Sequence, residues 1–411
     1  MPAYPRLRAS AVLALSGLLA GTALVACQVI AGLELPAFVD VDSAAPDGAS
    51  PEAGALVPLE CNPQVPPNPR RGTGSGPELH FAIEFLDFGF EYDGTTGIVR
   101  DTSRLCTGTL DSGVEIDPSV DLDGVSTCTP LVDGGVQGGS CRAPREEACD
   151  PAGGGDNKGL AIGRLAFGDQ PNAASDPNRA AREGRANLML RVSNYNGQED
   201  DAEVSVGLVQ ALGLASGGKL ASPDAGLRPA FDGTDEWVAD ERSVPAEQQP
   251  VVRTDLAYVA SGVLVARFKN AAVSFGGSGT DLQADEVVVT GRLVRDAKGV
   301  ARLDRGRIAA RLPQETLWRY ATGRSLSGDT VCSSAVTRKF ALDLVCGSLD
   351  LPSGPTAFAP DRPCEAVSFA AGFYASRANL AADRAKGPDA APPYSCDGGA
   401  FTWPPKSCDD F

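Results

Sequence analysis

Eleven cysteines occur in this 411-residue chain, and the fate of the first decides how the other ten must be read. Cys27 closes an apolar run, Ala11 to Ala26, that is opened by Arg6 and Arg8 and ends in Leu24-Val25-Ala26. A basic start, an apolar core and small residues before a cysteine form a bacterial lipoprotein export signal. At 16 residues the run falls short of the roughly 20 needed to span a bilayer, so it reads as a cleaved leader and not as an anchor helix. Residues 1–26 are then removed and Cys27 becomes a lipidated N-terminus. Each acyl chain contributes ~0.8 kcal/mol per buried CH₂, and two or more chains hold stably where one does not. Gln28 in place of Asp after the cysteine is compatible with outer-membrane sorting.

Export places the remaining cysteines in an oxidising compartment. Cys61, Cys106, Cys128, Cys141, Cys149, Cys332, Cys346, Cys364, Cys396 and Cys408 are even in number, which predicts five disulfides. A zinc site is disfavoured, because no Cys-x-x-Cys pair exists and the only histidine is His80. The cysteines fall into two groups with none between Cys149 and Cys332. The first group lies in a Gly- and Asp-rich stretch that lacks apolar periodicity, so bridges there are expected to replace a core.

Residues 27–59 are rich in Ala, Pro, Asp and Gly and read as a disordered tether. Residues 60–411 form the globular region, with 101–160 as a candidate Cys-rich insertion. The precursor carries a net charge of −17, and loss of Arg6 and Arg8 makes the mature chain −19, which argues against nucleic acid as a partner.

Strand signals dominate the globular part. In Leu79 to Leu86, Phe81, Ile83 and Phe85 share one face and His80, Ala82 and Glu84 the other. Further β-prone runs are Asn187 to Tyr195, Ala202 to Leu212, Leu256 to Phe268, Asn270 to Phe275, Glu286 to Val294, Gly299 to Arg311 and the alternating Val367, Phe369, Ala371, Phe373 and Ala375. Asp-Gly and Asn-Gly pairs punctuate them. Two helices are expected: one over Gln314 to Ala321 after Pro313, and one capped by Ser333 or Ser334 that carries Val336, Phe340 and Leu344 on a face. That second helix would set Cys332 and Cys346 about 21 Å apart at ~1.5 Å per residue, so each must bond elsewhere. The pattern predicts a mainly β fold, an antiparallel sandwich or jelly roll, with one or two short C-terminal helices and disulfide-stapled loops. No internal repeat is visible.

Cys27-Gln28-Val29-Ile30-Ala31-Gly32-Leu33-Glu34 resembles the mature start of myxobacterial surface lipoproteins. Asp121-Leu122-Asp123-Gly124, followed by Cys128, Cys141, Cys149 and Gly155-Asp156-Asn157, is similar to the Cys-rich region of an uncharacterised lipoprotein family of that group. Asn194-Tyr195-Asn196-Gly197, the segment Ala257 to Gly262 and Cys364 to Phe369 extend the resemblance over most of the chain. It implies a surface lipoprotein and no particular activity.

Motifs of enzyme chemistry are scarce. A Ser-His-Asp triad would have to use His80, and no Gly-x-Ser-x-Gly elbow is present. Gly153-Gly154-Gly155 lacks the Lys and Ser/Thr of a phosphate loop. Glu84, Asp87 and Glu91 are the only acids considered for a glycosidase-type carboxylate pair, and Glu84 and Asp87 have opposite strand parity. Calcium is the stronger site expectation. Asp121, Asp123, Asp156 and Asn157 offer hard oxygen ligands that bridges among Cys106, Cys128, Cys141 and Cys149 would gather, although an EF-hand frame fails because it would end on Pro130. Trp237 and Trp403 are candidate carbohydrate platforms, with packing on the core as the competing role. The reading is a lipid-anchored envelope protein of the outer membrane, facing the periplasm or the cell surface. It has a structural or binding role and no catalysis, no cofactor beyond a structural calcium, and a surface glycan or envelope protein as partner. The alternative is an exported carbohydrate-active hydrolase.

Overall fold

The computed structural model describes residues 65–72, 74–87, 90–93, 98–101, 119–123, 139–143, 155–159, 162, 177–222, 225–245, 249–274, 282–322, 325–326, 329–354, 359–387, 396 and 408. Cys27, the tether, Cys61, Cys106, Cys128, Cys149 and Trp403 lie outside them.

In chain order the elements are β1 (Leu79–Asp87), β2 (Phe90–Asp93), β3 (Ile98–Asp101), α1 (Pro177–Arg182), β4 (Asn187–Ser193), β5 (Asp201–Ser216), β6 (Lys219–Leu220), β7 (Glu236–Asp240), β8 (Val252–Ala260), β9 (Val263–Val273), β10 (Leu282–Arg295), β11 (Ala301–Pro313), α2 (Gln314–Thr322), β12 (Ser325–Leu326), β13 (Asp329–Thr330), α3 (Ala335–Gly347) and β14 (Ala366–Ala385). The mainly β class expected from the sequence holds, but the sandwich does not. Pairings β5–β8 and β14–β1 join the ends of the sheet, so β1, β4, β5, β8, β9, β10, β11 and β14 close into an antiparallel barrel. Sequence alternation cannot separate the two, because a sandwich and a barrel both show period-2 strands and differ only in which distant edges meet.

Alternation assigns the faces. Phe81, Ile83, Leu190, Val206, Leu264, Phe268, Val289, Ile308, Phe369 and Phe373 point into one continuous core. Eight strands leave an interior that side chains can fill, and these fill it. The outer face carries Arg191, Glu203, Arg253, Arg267, Glu286 and Arg302, so the polarity is opposite to that of a membrane-spanning barrel. Among the described residues no helix is long and apolar enough to cross a membrane.

Two patches of the outer face are covered. The far halves of β5 and β14 extend beyond the barrel pairing and hydrogen-bond to β7. Beneath them Ala82, Met189, Val209, Ala211 and Ala378 pack with the fully buried Trp237. On the other side Val120, Leu122 and Leu351 cover Val288, Ala309, Ala366 and Ala370.

Several local expectations need correction. A bulge between Ile83 and Phe85 inserts an extra residue at Glu84, so Leu86, not Phe85, rejoins the interior set. The run from Leu256 to Phe268 is two strands, split by a tight turn in which Ser261 and Gly262 have φ of 50° and 77°. Asn270 to Phe275 is not a separate strand, since Asn270 continues β9. In α3 the cap is Ser334, whose side chain accepts from Thr337 N, but the buried face is Thr337, Ala341, Leu342, Val345 and Cys346, while Val336 is exposed. Pro313 ends β11 and Gln314 starts α2.

Disulfides join Cys141 to Cys364, Cys332 to Cys396 and Cys346 to Cys408. Cys332 and Cys346 thus bond to other cysteines. The first bridge overturns the expectation that Cys141 pairs inside its own group: its partner lies 223 residues away, beside the start of β14. Backbone bonds from Arg142 N to Arg362 O (2.7 Å) and from Cys364 N to Arg142 O (3.0 Å) set the two segments side by side.

Three asparagine carboxamides complete strand edges where neighbouring strands stop. Pairing of β1 with β4 ends at Ala82 and Met189. Beyond it Asn187 accepts from Ile83 N at 2.9 Å and donates to Ile83 O at 2.8 Å, and Asn178 does the same for Leu86 at 2.6 and 2.8 Å. Asn157 accepts from Ala370 N at 2.8 Å and donates to Ala370 O at 3.3 Å on β14. A carboxamide reproduces the donor and acceptor of a peptide group, so each acts as one residue of a missing strand. Asn187→Ala should therefore lower unfolding free energy by about 2–4 kcal/mol, because Ile83 is left with two unpaired buried groups. Urea denaturation measures this, and a loss no larger than that of an exposed surface substitution would show that the seam does not depend on the side chain.

Candidate functional site

Asp121, Asp123 and Asp156 are brought together as expected, each offering a carboxylate oxygen within 4.8 Å of the others. The isolated bridge between Val120 and Asp156 explains how, since it docks 155–159 beside 119–123, and Leu122 N donates to Asp156 Oδ2 at 2.6 Å. These three residues could hold a cation. Calcium, however, takes six to eight oxygens. Asn157, expected as a fourth ligand, engages both backbone groups of Ala370. The carbonyls of Ser119 and Leu122, which could extend the shell, accept from the buried guanidinium groups of Arg307 (3.4 Å) and Arg311 (3.3 Å). Positive charge therefore already enters this segment from β11. Thermal unfolding of the full chain in calcium and then in EDTA should give the same midpoint. A calcium-dependent rise, about 2.7 kcal/mol at a hundredfold excess over Kd, that Asp123→Asn abolishes would make the cluster a metal site.

The acids considered for catalysis are placed apart in role. Glu84 Oε1 accepts from Arg302 Nη2 at 2.6 Å and from the Ser376 hydroxyl, which fixes it as a cross-strand ion pair over the bulge. Asp87 is buried at the end of β1, where its charge, with that of Asp304 and on top of burial, pushes the Tyr374 hydroxyl up to about 12. Glu91 lies in β2, and its side chain is outside the described residues. Trp237 has 0% exposure and packs under β5 and β14, which rules out stacking on a sugar; the loop composition around it hid a five-residue strand.

A site that no sequence motif announces lies on the outer face away from these two patches. A groove of about 610 Å³ lies over β4, β5 and β8. Cross-strand register sets Arg191 opposite Gly207, and Gly207 opposite Arg253, so two arginines flank a glycine across the floor. Gly207 is required there: a Cβ would come within 2.4 Å of the ring of Pro250, which forms part of one wall. The next row holds Ser193 and Ser205, and Ser205 Oγ donates to Asp255 Oδ1 at 2.8 Å. Between Val204/Ala257 and Val206/Thr254, two steps on β5 match three on β8, a bulge that turns both Asp255 and Leu256 outward. Leu256 is 75% exposed and Val251 63%, the first and third most exposed large apolar residues among those described.

The groove's charges are mostly paired. Glu78 bridges Arg191 and His80, with His80 Nε2 2.9 Å from Glu78 Oε1. Arg253 Nη2 bonds Asp255 Oδ2 at 2.9 Å, and the Ser205 hydroxyl together with Arg253 holds the Asp255 carboxyl below the usual range. Asp255 is thus a fixed anion, unsuited to donate a proton.

Comparison with protein-family models, with curated proteins and with solved structures returns no match for this chain.

His80 adds a pH dependence. Burial outweighs Glu78 and, with Arg191 and Arg384, lowers its pKa below 6.5, so the unfolded chain takes the proton more readily than the folded one. Stability should be complete above about pH 6.5 and fall as pH drops towards the lower folded-state value. Asp240 and Asp255 are held below 3.8 and act only under that window. Urea midpoints across this range should decline for the native chain and stay flat for His80→Gln.

Proposed function

We propose that the chain is an exported lipoprotein of the outer membrane, anchored through lipidated Cys27, whose barrel serves a binding or structural role without catalysis. The lipobox-like segment before Cys27 supports the address, and the resemblance of Cys27 to Glu34 and of the Asp121 to Asn157 region to myxobacterial surface lipoproteins points the same way. One observation carries the non-catalytic reading: Glu84, one of the three carboxylates of the hydrolase alternative, is held by Arg302 and Ser376. A carboxylate engaged by a guanidinium and a hydroxyl across two strands is held in a structural contact and not presented to a glycosidic oxygen.

Cys27→Ser should abolish incorporation of an alkyne-tagged fatty acid and shift the protein from the membrane to the soluble fraction; retained labelling would refute the anchor. Aryl glycosides should not be turned over by the native chain. Turnover lost in Glu84→Gln or Asp87→Asn, with folding intact, would establish the hydrolase instead.

A further inference from the structure

We propose that the groove over β4, β5 and β8 is a binding site for a neutral saccharide, an assignment that rests on the non-catalytic binding role and gives it a place and a ligand class. The barrel interior is filled, and two other outer patches are covered by β7 and by the 119–123 segment, so among the described residues this face is an open concavity. Its volume falls within the roughly 300–1,000 Å³ usual for small-molecule sites.

The chemistry of the lining selects the ligand. Glu78, Glu203 and Asp255 oppose Arg191 and Arg253, three charges against two, and two of the carboxylates are already ion-paired within the wall. A polyanion or polycation would have to displace these pairs and would gain little net charge attraction. What the groove offers is planar forks: two guanidinium groups, three carboxylates and the carboxamides of Asn194 and Gln249, with the hydroxyls of Ser193 and Ser205 between them. Vicinal hydroxyls of a pyranose both donate and accept, and such forks match them in pairs. Pro250 in the wall, with Val251 and Leu256 exposed beside the lining residues, supplies aliphatic surface for the C–H faces of the ring. A peptide added by strand pairing finds no vacancy on the floor, because Val206 to Leu208 of β5 are paired to both β4 and β8.

The test is calorimetric titration of the full chain with cellotriose, maltotriose and chitotriose, each followed by thin-layer analysis of the sugar. At least one trisaccharide should bind, inorganic phosphate and tetralysine should not compete, and Arg253→Ala and Glu203→Gln should each weaken binding about tenfold or more at an unchanged melting temperature. Lys339→Ala, on the exposed face of α3, should leave it unaltered. No binding of any of the three overturns the assignment, as does binding that survives both groove substitutions; the lipoprotein reading stands in either case. Binding accompanied by cleavage of the sugar supports the groove and overturns the non-catalytic role.

Discussion

Hydrogen bonding along β14 is the constraint around which the molecule is arranged. Twenty residues of extended chain present polar backbone groups on two edges, and no single neighbour is long enough to satisfy either. From Ala366 to Ser376 one edge is taken by β11. The other is taken by β1 from Gly372 to Ala378, and by β7 beyond that. Before Gly372 no described strand continues that edge, and four loop groups stand in: Leu351 bridges Ala366, Gly159 N donates to Ser368 O at 2.7 Å, Asn157 pairs with Ala370, and Asp350 Oδ1 accepts from Ser368 N at 2.8 Å. The 155–159 segment that carries two of these groups has no large apolar residue and is held by hydrogen bonds, whereas Asp350 is seated by the buried Leu349 and Leu351 on either side of it. The Cys141–Cys364 bridge fastens the 139–143 segment to the residues just before β14. Closing so long a loop removes roughly 5 kcal/mol of unfolded-state entropy in the chain-entropy account.

The same requirement explains why the outer surface is uneven. Where β5 and β14 outrun their barrel partners they need another strand, and β7 meets both. That second layer buries Trp237 and Met189 and leaves Pro250, on the segment leading from β7 to β8, leaning over Gly207. The groove is thus a by-product of edge satisfaction. It lies where the barrel is covered on neither side, and its wall is the loop that returns from the covering layer.

Most strands were legible because a filled interior imposes period 2 on every strand that faces it. Phe81 and Ile83, Val287 and Val289, and the series from Val367 to Ala375 show it plainly. What alternation could not reveal depends on distant partners. Closure rests on Ser376 meeting Ala82 and Ala257 meeting Val204, and the bridges rest on cysteines separated by 62 to 223 residues. The acidic cluster was visible because its members share one Asp- and Cys-rich stretch, whereas Arg307 and Arg311, which bond the carbonyls of Ser119 and Leu122 in that stretch, come from a strand far later in the chain. The groove had no motif. Its signal was present only as polar residues at outward positions of three separate runs, Arg191 and Ser193, Glu203 and Ser205, and Arg253 and Asp255, and only register shows that they adjoin.

The groove is tied to the chain that precedes β1. Residues 65–72 and 74–78 lie across one end of the barrel before β1 begins: Tyr258 Oη donates to Pro66 O at 2.5 Å, Arg71 pairs with Asp200, and Ala202 N donates to Gly72 O at 3.2 Å. Gly74 lies so close to the 194–201 loop that a Cβ would meet Asn194 O at 1.7 Å, so this strap is fitted to its seat and not merely laid on it. The strap leads directly to Glu78, the residue that orients Arg191 in the groove. The position of Glu78, and with it one wall of the groove, is thereby fixed by backbone and ion-pair contacts made well before β1 begins.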